Sequence, residues 1–529
     1  MNPATFLRPL LALTCALGAM MTCRTAANPA LELPPSPSRG TPVEFTVKGP
    51  TNLFQSAVAG RLLVVLGRSA DPEPRERIGT TGFDAEPVFG GDLQEFRGQP
   101  TLLPSGAALF PLRAGSELGD GTYYVQAILM TNRDLRLVNA PGNFYSTPKK
   151  FEVHAAHPSR VEIDLDQKLP EETLPLDTEE VRYLKRPSPL LSSFWGRPMF
   201  LRVAVTLPMG WSTETNRRYP LVIQIGGYGT RFFDAGPVEK RGRGFASAWH
   251  SPNGPRFLHV QLDGAGPWGD PYQINSANNG PYGDALVQEL IPYIESRFRG
   301  VGTARTRFVT GGSTGGWVSL ALQTFYPDTF GGCWSGYPDS PDFRAYETID
   351  VYGDANAYVN RFGFERPSKR TRFGEVEFTV RHECQLENVL GDGDSYVASG
   401  QQWGAWNAVY SPRGSDGRPV ALWEARSGKI RLDAVRSSWE KFDLRRVMEG
   451  QWSTLGPKLR GKIHLWVGDA DDYFLDGGVH HLDNFLKTAN PPADARIEFG
   501  PGERHGWEPR SWTQLLAEMQ AVVDGTGGR

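Results

Sequence analysis

The stretch Gly311-Gly312-Ser313-Thr314-Gly315-Gly316 contains the pattern G-x-S-x-G. Such a pattern presents a serine hydroxyl on a sharp turn when a strand enters it and a helix leaves it. Both are present here. Arg305 to Thr310 reads as a strand, and Trp317 to Tyr326 reads as an amphipathic helix stopped by Pro327. Glycines around the serine let the turn approach its neighbours where a side chain would clash. A hydroxyl held there, beside a helix N-terminus, suits nucleophilic attack on a carbonyl. The competing reading is a plain glycine-rich helix start with Ser313 as its cap.

A serine nucleophile needs a base, an acid that orients the base, and donors for the oxyanion. His505 is the candidate base, in the loop Gly500 to Trp507 after a short strand, Arg496 to Phe499. His480 and His481 fall within a predicted helix and read as a solvated face. The strand Ile463 to Val467 runs into Gly468-Asp469-Ala470-Asp471-Asp472. Asp471 is the preferred acid, because a turn three residues past Gly468 can direct a carboxylate back toward the histidine loop. Asp469 and then Asp472 follow, with Asp339 as an outside choice. The same acidic cluster could hold a cation, but neighbouring loop carboxylates are usually just solvated. These roles call for no metal and no organic cofactor. The expected oxyanion donors are the backbone N–H groups of Thr314 and of Tyr228, in the loop Gly226-Gly227-Tyr228-Gly229. Gly227, Trp268 and Asn279, with Asn278, are candidate substrate contacts.

The elements that must position these residues alternate from about residue 190 onward. Strands are predicted at Leu201 to Leu207, Leu221 to Ile225, Phe257 to Leu262 and Phe330 to Trp334. Helices are predicted at Val287 to Phe298, Val479 to Leu486 and Trp512 to Val523. That alternation predicts an α/β fold, a mostly parallel sheet with helices on both faces. The front half differs. Residues 41–166 show period-two alternation and turn signals, which predict a small all-β sandwich of immunoglobulin-like type. Residues 167–189, rich in Pro and Glu, read as a linker. Residues 1–27 read as a signal peptide, with Arg8 before the apolar run Leu10 to Met21. The protein is then exported, periplasmic or secreted, with lipid anchoring at Cys23 a lesser alternative. Cys333 and Cys384 are left either to pair or to sit as buried thiols.

Composition narrows the function classes. Among 529 residues are 60 glycines and 42 prolines, too much punctuation for a coiled coil or helical bundle. The net charge of −3 carries no nucleic-acid signature, and the only basic block is Lys240-Arg241 with Arg243. No later stretch is apolar enough to span a membrane.

From about residue 190 to 525 the chain resembles the α/β-hydrolase family of esterases that includes esterase D, feruloyl esterases and enterochelin esterase. The resemblance rests on Tyr219-Pro220-Leu221-Val222-Ile223 leading to Gly227-Tyr228-Gly229, on Leu290 to Glu295, on Gly312 to Gly316, on Tyr326 to Phe330, and on the Asp471 and His505 loops. It implies Ser313, Asp471 and His505 as the triad, and Tyr228 and Thr314 as the oxyanion donors. It departs at Gly226-Gly227, where such enzymes often carry His-Gly. Ser313 and Asp471 are also too far apart for a compact member, so residues 336–450 are an insertion, expected as an aromatic-rich lid. The expected activity is cleavage of a small carboxylic ester through an acyl-enzyme. The alternatives are an exported serine peptidase of the same fold and an inactive binding protein.

Overall fold

Leu62 to Leu66 is apolar at every position, and the two faces of its strand explain why. In this computed structural model, which describes residues 43–103, 106–154, 157–242 and 244–526, Val58–Gly67 lies in a seven-stranded sheet. The order is Gln167–Lys168, Phe144–Tyr145, Gly121–Met130, Val58–Gly67, Val88–Phe96 and Ala108–Phe110, with Lys149–Val153 also paired to Gly121–Met130. A three-stranded sheet faces it. Its middle strand Val43–Lys48 runs antiparallel to Thr101–Leu102 and parallel to Ser159–Asp164. Alternate side chains point to opposite faces of a strand. Leu62, Val64 and Leu66 therefore meet Phe45, Val47 and Ile163 of the small sheet. Leu63 and Val65 point the other way and are buried against Leu386, Val389 and Leu390. The predicted signal segment, Cys23 included, lies outside the described residues.

The second half is built on eight strands: β1 (Val181–Pro187), β2 (Phe200–Thr206), β3 (Leu221–Ile225), β4 (Leu258–Leu262), β5 (Arg307–Gly312), β6 (Gly332–Gly336), β7 (Ile463–Gly468) and β8 (Arg496–Gly500). Their order is β1-β2-β4-β3-β5-β6-β7-β8. β2 is antiparallel to both neighbours, and every pair from β4 to β8 is parallel. The helices used below are α1 (Phe245–Trp249), α2 (Ile291–Phe298), α3 (Thr314–Phe325), α4 (Val380–Leu390), α5 (Gln402–Tyr410), α6 (Leu444–Leu459), α7 (Asp476–Thr488) and α8 (Trp512–Asp524). On one face of the sheet α1 and α8 meet through Phe245 and Trp512, whose ring centroids are 4.8 Å apart. A parallel sheet covered by helices reads as near-continuous apolar runs, and β3 and β4 are buried along most of their length.

One expectation needs correction. The stretch 167–189 is not all linker: Gln167–Lys168 belongs to the large front sheet, and Val181–Pro187 is the edge strand of the eight-stranded sheet. Its charged residues suit an edge strand with a solvated side. Residues 336–450, expected as an aromatic-rich lid, supply one residue, Tyr337, to the lining of the cavity beside Ser313. They fold around their own aromatic core, in which Tyr346, Trp403, Trp406, Tyr410 and Trp439 pack edge to face. Cys333 and Cys384 are both free and buried, on β6 and α4, so no disulfide joins them.

Candidate active site

Ser313 occupies the single residue between β5 and α3, at φ 59° and ψ −126°. That backbone is sparsely populated for a residue with a Cβ and costs on the order of 1–3 kcal/mol. It persists because its neighbours fix it. Ser313 N–H donates to Gly336 O at 3.0 Å, and Ser313 O accepts from Trp317 N–H at 3.1 Å and Asp339 N–H at 3.2 Å. The glycines answer a packing demand: a Cβ on Gly315 would lie 2.1 Å from Ile225 O, and one on Gly316 would lie 2.3 Å from Gly336 O. The Ser313 hydroxyl makes no capping bond to the helix, which removes the plain-cap reading and leaves Oγ uncommitted.

A cavity of about 700 Å³ opens at this turn, with Ser313, Gly227, Tyr228 and His505 in its lining. His505 Nδ1 is 2.8 Å from Asp471 Oδ2. Asp471 is fully buried, and its Oδ1 accepts from the N–H groups of Tyr473 at 2.9 Å and Leu475 at 3.4 Å. The imidazole stands between the edges of Tyr337 and Tyr473, with both ring centroids 4.9 Å away. Asp471 therefore fixes one ring nitrogen of His505, and the aromatic pair limits rotation of the ring. The other two loop acids are engaged elsewhere. Asp469 accepts from Gly502 N–H at 2.6 Å, and Asp472 pairs with Arg504 at 2.6 Å. His480 is exposed on α7 and stacks on Phe499.

Asp339, the outside choice for the acid, has a different place. Its Oδ2 accepts from Tyr272 Oη at 2.6 Å, Thr314 Oγ1 at 3.1 Å and Trp406 Nε1 at 3.1 Å. Burial pushes its pKa up, and those three donors oppose the shift. This carboxylate ties the first residue of α3 to the insertion. Thr314 N–H and Tyr228 N–H make no hydrogen bond among the described residues. The Tyr228 hydroxyl, by contrast, donates to Gly400 O, just before α5.

Of the four substrate contacts expected from sequence, Gly227 lines the cavity, and a Cβ built there would stand 4.0 Å from the Ser313 Cβ. Trp268, Asn278 and Asn279 are not in its lining, and Asn278 donates instead to Ala408 O and Ser411 O. Asn279 is fully buried and receives Trp195 Nε1–H on its backbone carbonyl. The insertion contributes only Tyr337 to the cavity wall. The rest comes from residues 224–245, β3 to β5, Trp466 of β7, and residues 505–515 at and before the start of α8. Sequence reading missed Tyr337, Tyr473 and Tyr272. Tyr337 directly follows β6, which was the one available sign that it lies at the sheet's active edge.

A family model described as "Putative esterase" matches residues 195–521, more than half of the chain. The chain belongs to this esterase family. It is an α/β-hydrolase whose reaction is hydrolysis of carboxylic esters, and a β-rich region precedes its catalytic domain. Among curated proteins none matches the esterase. Among solved structures it is similar to a ferulic acid esterase at 15% identity and TM-score 0.36, over 66% of this chain and 99% of that one. It is similar to the fluorophosphonate-binding serine hydrolase FphF of Staphylococcus aureus at 13% identity and TM-score 0.38, over 65% and 98%. A third is an S-formylglutathione hydrolase from Agrobacterium tumefaciens, at 12% identity and TM-score 0.34, over 68% and 98%.

Proposed function

We propose that the esterase works through Ser313, His505 and Asp471, with a covalent acyl-enzyme between two half-reactions. The observation that carries this is the 2.8 Å contact of His505 Nδ1 with buried Asp471, in a cavity His505 shares with a strained, uncapped Ser313. His505 Nε2 takes the hydroxyl proton as Ser313 Oγ bonds to the ester carbonyl carbon. The carbonyl oxygen becomes an oxyanion, held by the N–H groups of Tyr228 and Thr314. The C–O bond to the alcohol then breaks, and His505 returns the proton to the departing alkoxide. Water attacks the acyl-enzyme by the same route, releasing the acid and restoring Ser313. The substrate is a small-molecule ester, and no described helix is long and apolar enough to cross a membrane. The apolar run Leu10 to Met21 behind Arg8 supports export, which N-terminal sequencing of the mature protein would check.

The test is direct. Wild type should hydrolyse p-nitrophenyl esters and be labelled by a fluorophosphonate probe. Ser313→Ala should lose the label and at least about a thousandfold in kcat/KM. Equal turnover by the two proteins would reject the assignment.

A further inference from the structure

The face of a sheet that packs under helices is ordinarily apolar, but here the central strands carry a polar row. Gln224 of β3 is paired in register with Gln261 of β4 and Thr310 of β5, and His259 stands two residues earlier on β4. These side chains form the floor of the cavity that opens at Ser313. His259 Nε2 is 2.6 Å from Gln224 Oε1, and Arg241 Nη1 is 3.4 Å from His259 Nδ1. Arg241 also donates through Nε to Ala235 O and through Nη2 to Thr206 Oγ1 at 2.7 Å.

None of these partners carries a negative charge. Among the described residues no carboxylate lies within ion-pair distance of Arg241. Glu180 is taken up by His250 at 2.5 Å, and Asp234 accepts from Arg231 N–H at 2.8 Å. Burial pulls the guanidinium down to about 10, so it stays charged at neutral pH. His259 faces it, held neutral by burial and by Arg241 itself. Lys240, beside it in the lining, is exposed and has no carboxylate partner among the described residues either. A half-buried charge without an ion-paired carboxylate is unusual, because the more distant Glu180 offsets only part of its desolvation. At about 3.3 Å per residue and about 4.8 Å between strands, the floor begins on the order of 10 Å below Ser313, and Arg241, beside His259 on β4, lies on the order of 15–20 Å away.

We propose that this cavity binds a carboxylate at the far end of an elongated substrate, with the carboxylate on Arg241 and Lys240 while the ester carbonyl sits at Ser313. The proposal rests on the reading of Ser313 as the nucleophile. The esterase would then prefer acids or alcohols that carry a second, ionised group over neutral chains of the same length.

The experiment compares two matched pairs of esters. The mono-p-nitrophenyl ester of sebacic acid is set against p-nitrophenyl decanoate. The acetate ester of an ω-hydroxy fatty acid is set against that of its primary amide. Each result is the ratio of kcat/KM values within a pair, which does not depend on how much of a variant is folded. Wild type should favour the carboxylate at least about tenfold in one pair, with the preference shrinking as salt rises. Arg241→Gln should erase the preference and Lys240→Gln should reduce it. Equal ratios in both pairs, or a preference that survives Arg241→Gln, would overturn the proposal while leaving the nucleophile in place. Calorimetry on Ser313→Ala keeps the two readings apart. Sebacate should bind it and not Ser313→Ala/Arg241→Gln, whatever the turnover data say of Ser313, and absence of binding counts against the carboxylate site alone.

Discussion

Asp469, Asp471 and Asp472 stand within four residues of one another, and only Asp471 touches His505. Sequence preferred Asp471 on turn geometry but had to leave its neighbours open, because which way a loop carboxylate points is decided by contacts far along the chain. Gly502 draws Asp469 away and Arg504 draws Asp472. On this geometry Asp471→Asn should lower kcat about a thousandfold or more, by losing the acceptor that fixes the histidine tautomer. Asp469→Asn and Asp472→Asn should stay within about tenfold of wild type. If the Asp472 variant were the crippled one, the acid would have to be reassigned. A strand-to-helix serine turn and a post-strand histidine loop leave a pattern in sequence, and the structure brings Ser313 and His505 into the lining of one cavity. Trp268 and Asn279 were chosen because they follow the strand Phe257 to Leu262, and a place after a strand does not say which cavity a side chain meets.

At the scale of elements, the insertion buttresses the site instead of covering it. Tyr272, Thr314 and Trp406 converge on Asp339 Oδ2, and Gln402 of α5 donates to Tyr272 Oη at 2.7 Å. Replacing the acceptor leaves buried donors unpaired, at about 1–3 kcal/mol each. Asp339→Ala, which removes the acceptor outright, should therefore lower Tm. If the network also aims the Thr314 N–H at the oxyanion, kcat should fall about tenfold or more while KM stays within about threefold. A drop in Tm with kcat intact would reduce the network to scaffold. A second element-scale effect lies where β7 meets α8. His464 is stacked on Trp334 at 4.4 Å, and both its ring nitrogens are buried without a hydrogen-bond partner among the described residues. Burial holds its pKa down to about 4. Unfolding frees it to an ordinary value near 6.5, so the unfolded chain binds the extra proton between those values. The neutral imidazole's contribution is complete above pH ~6.5 and is lost as pH falls through ~4. His464→Phe keeps the stacking and removes the titration. Its Tm should fall less than that of wild type between pH 7 and pH 4, and parallel melting curves would count against the mechanism. The strands and helices here were readable from periodicity. The edge strand β1 was not, because charge and proline made it look like a linker.

The whole molecule is held together where its two sheet systems meet, and no local pattern announces that contact. Period-two alternation says that a strand has two faces, but not what covers the second one. Here α4 of the insertion covers it. Arg61, fully buried on the large front sheet, donates through Nε to Val389 O at 2.9 Å and pairs with Asp394 at 2.7 Å. Val389 lies in the last turn of α4, where unpaired carbonyls and the negative end of the helix favour a cation. Around this charge, Leu63, Val65 and Ile128 cover Leu386, Val389 and Leu390. The chain then passes Asp392, paired with Arg136 at 2.7 Å, and reaches Gly400, whose carbonyl receives the Tyr228 hydroxyl. The front sheets are thus tied to the Tyr228 loop through one continuous segment. Removing residues 1–168 would expose the apolar face of α4 and strip its C-terminal cation. The shortened esterase should aggregate or melt at least about 10 °C lower, because several buried apolar side chains at ~1.5–3 kcal/mol each are lost from the interface. Arg61→Met gives a gentler form of the same test. It should cost about 3 kcal/mol or more, because buried carbonyls and Asp92 lose their partner. Calorimetry on wild type, Arg61→Met and the truncated chain decides the matter. A truncated esterase that melts and turns over like the full chain would mean that the front sheets are an independent module, with no part in shaping the site.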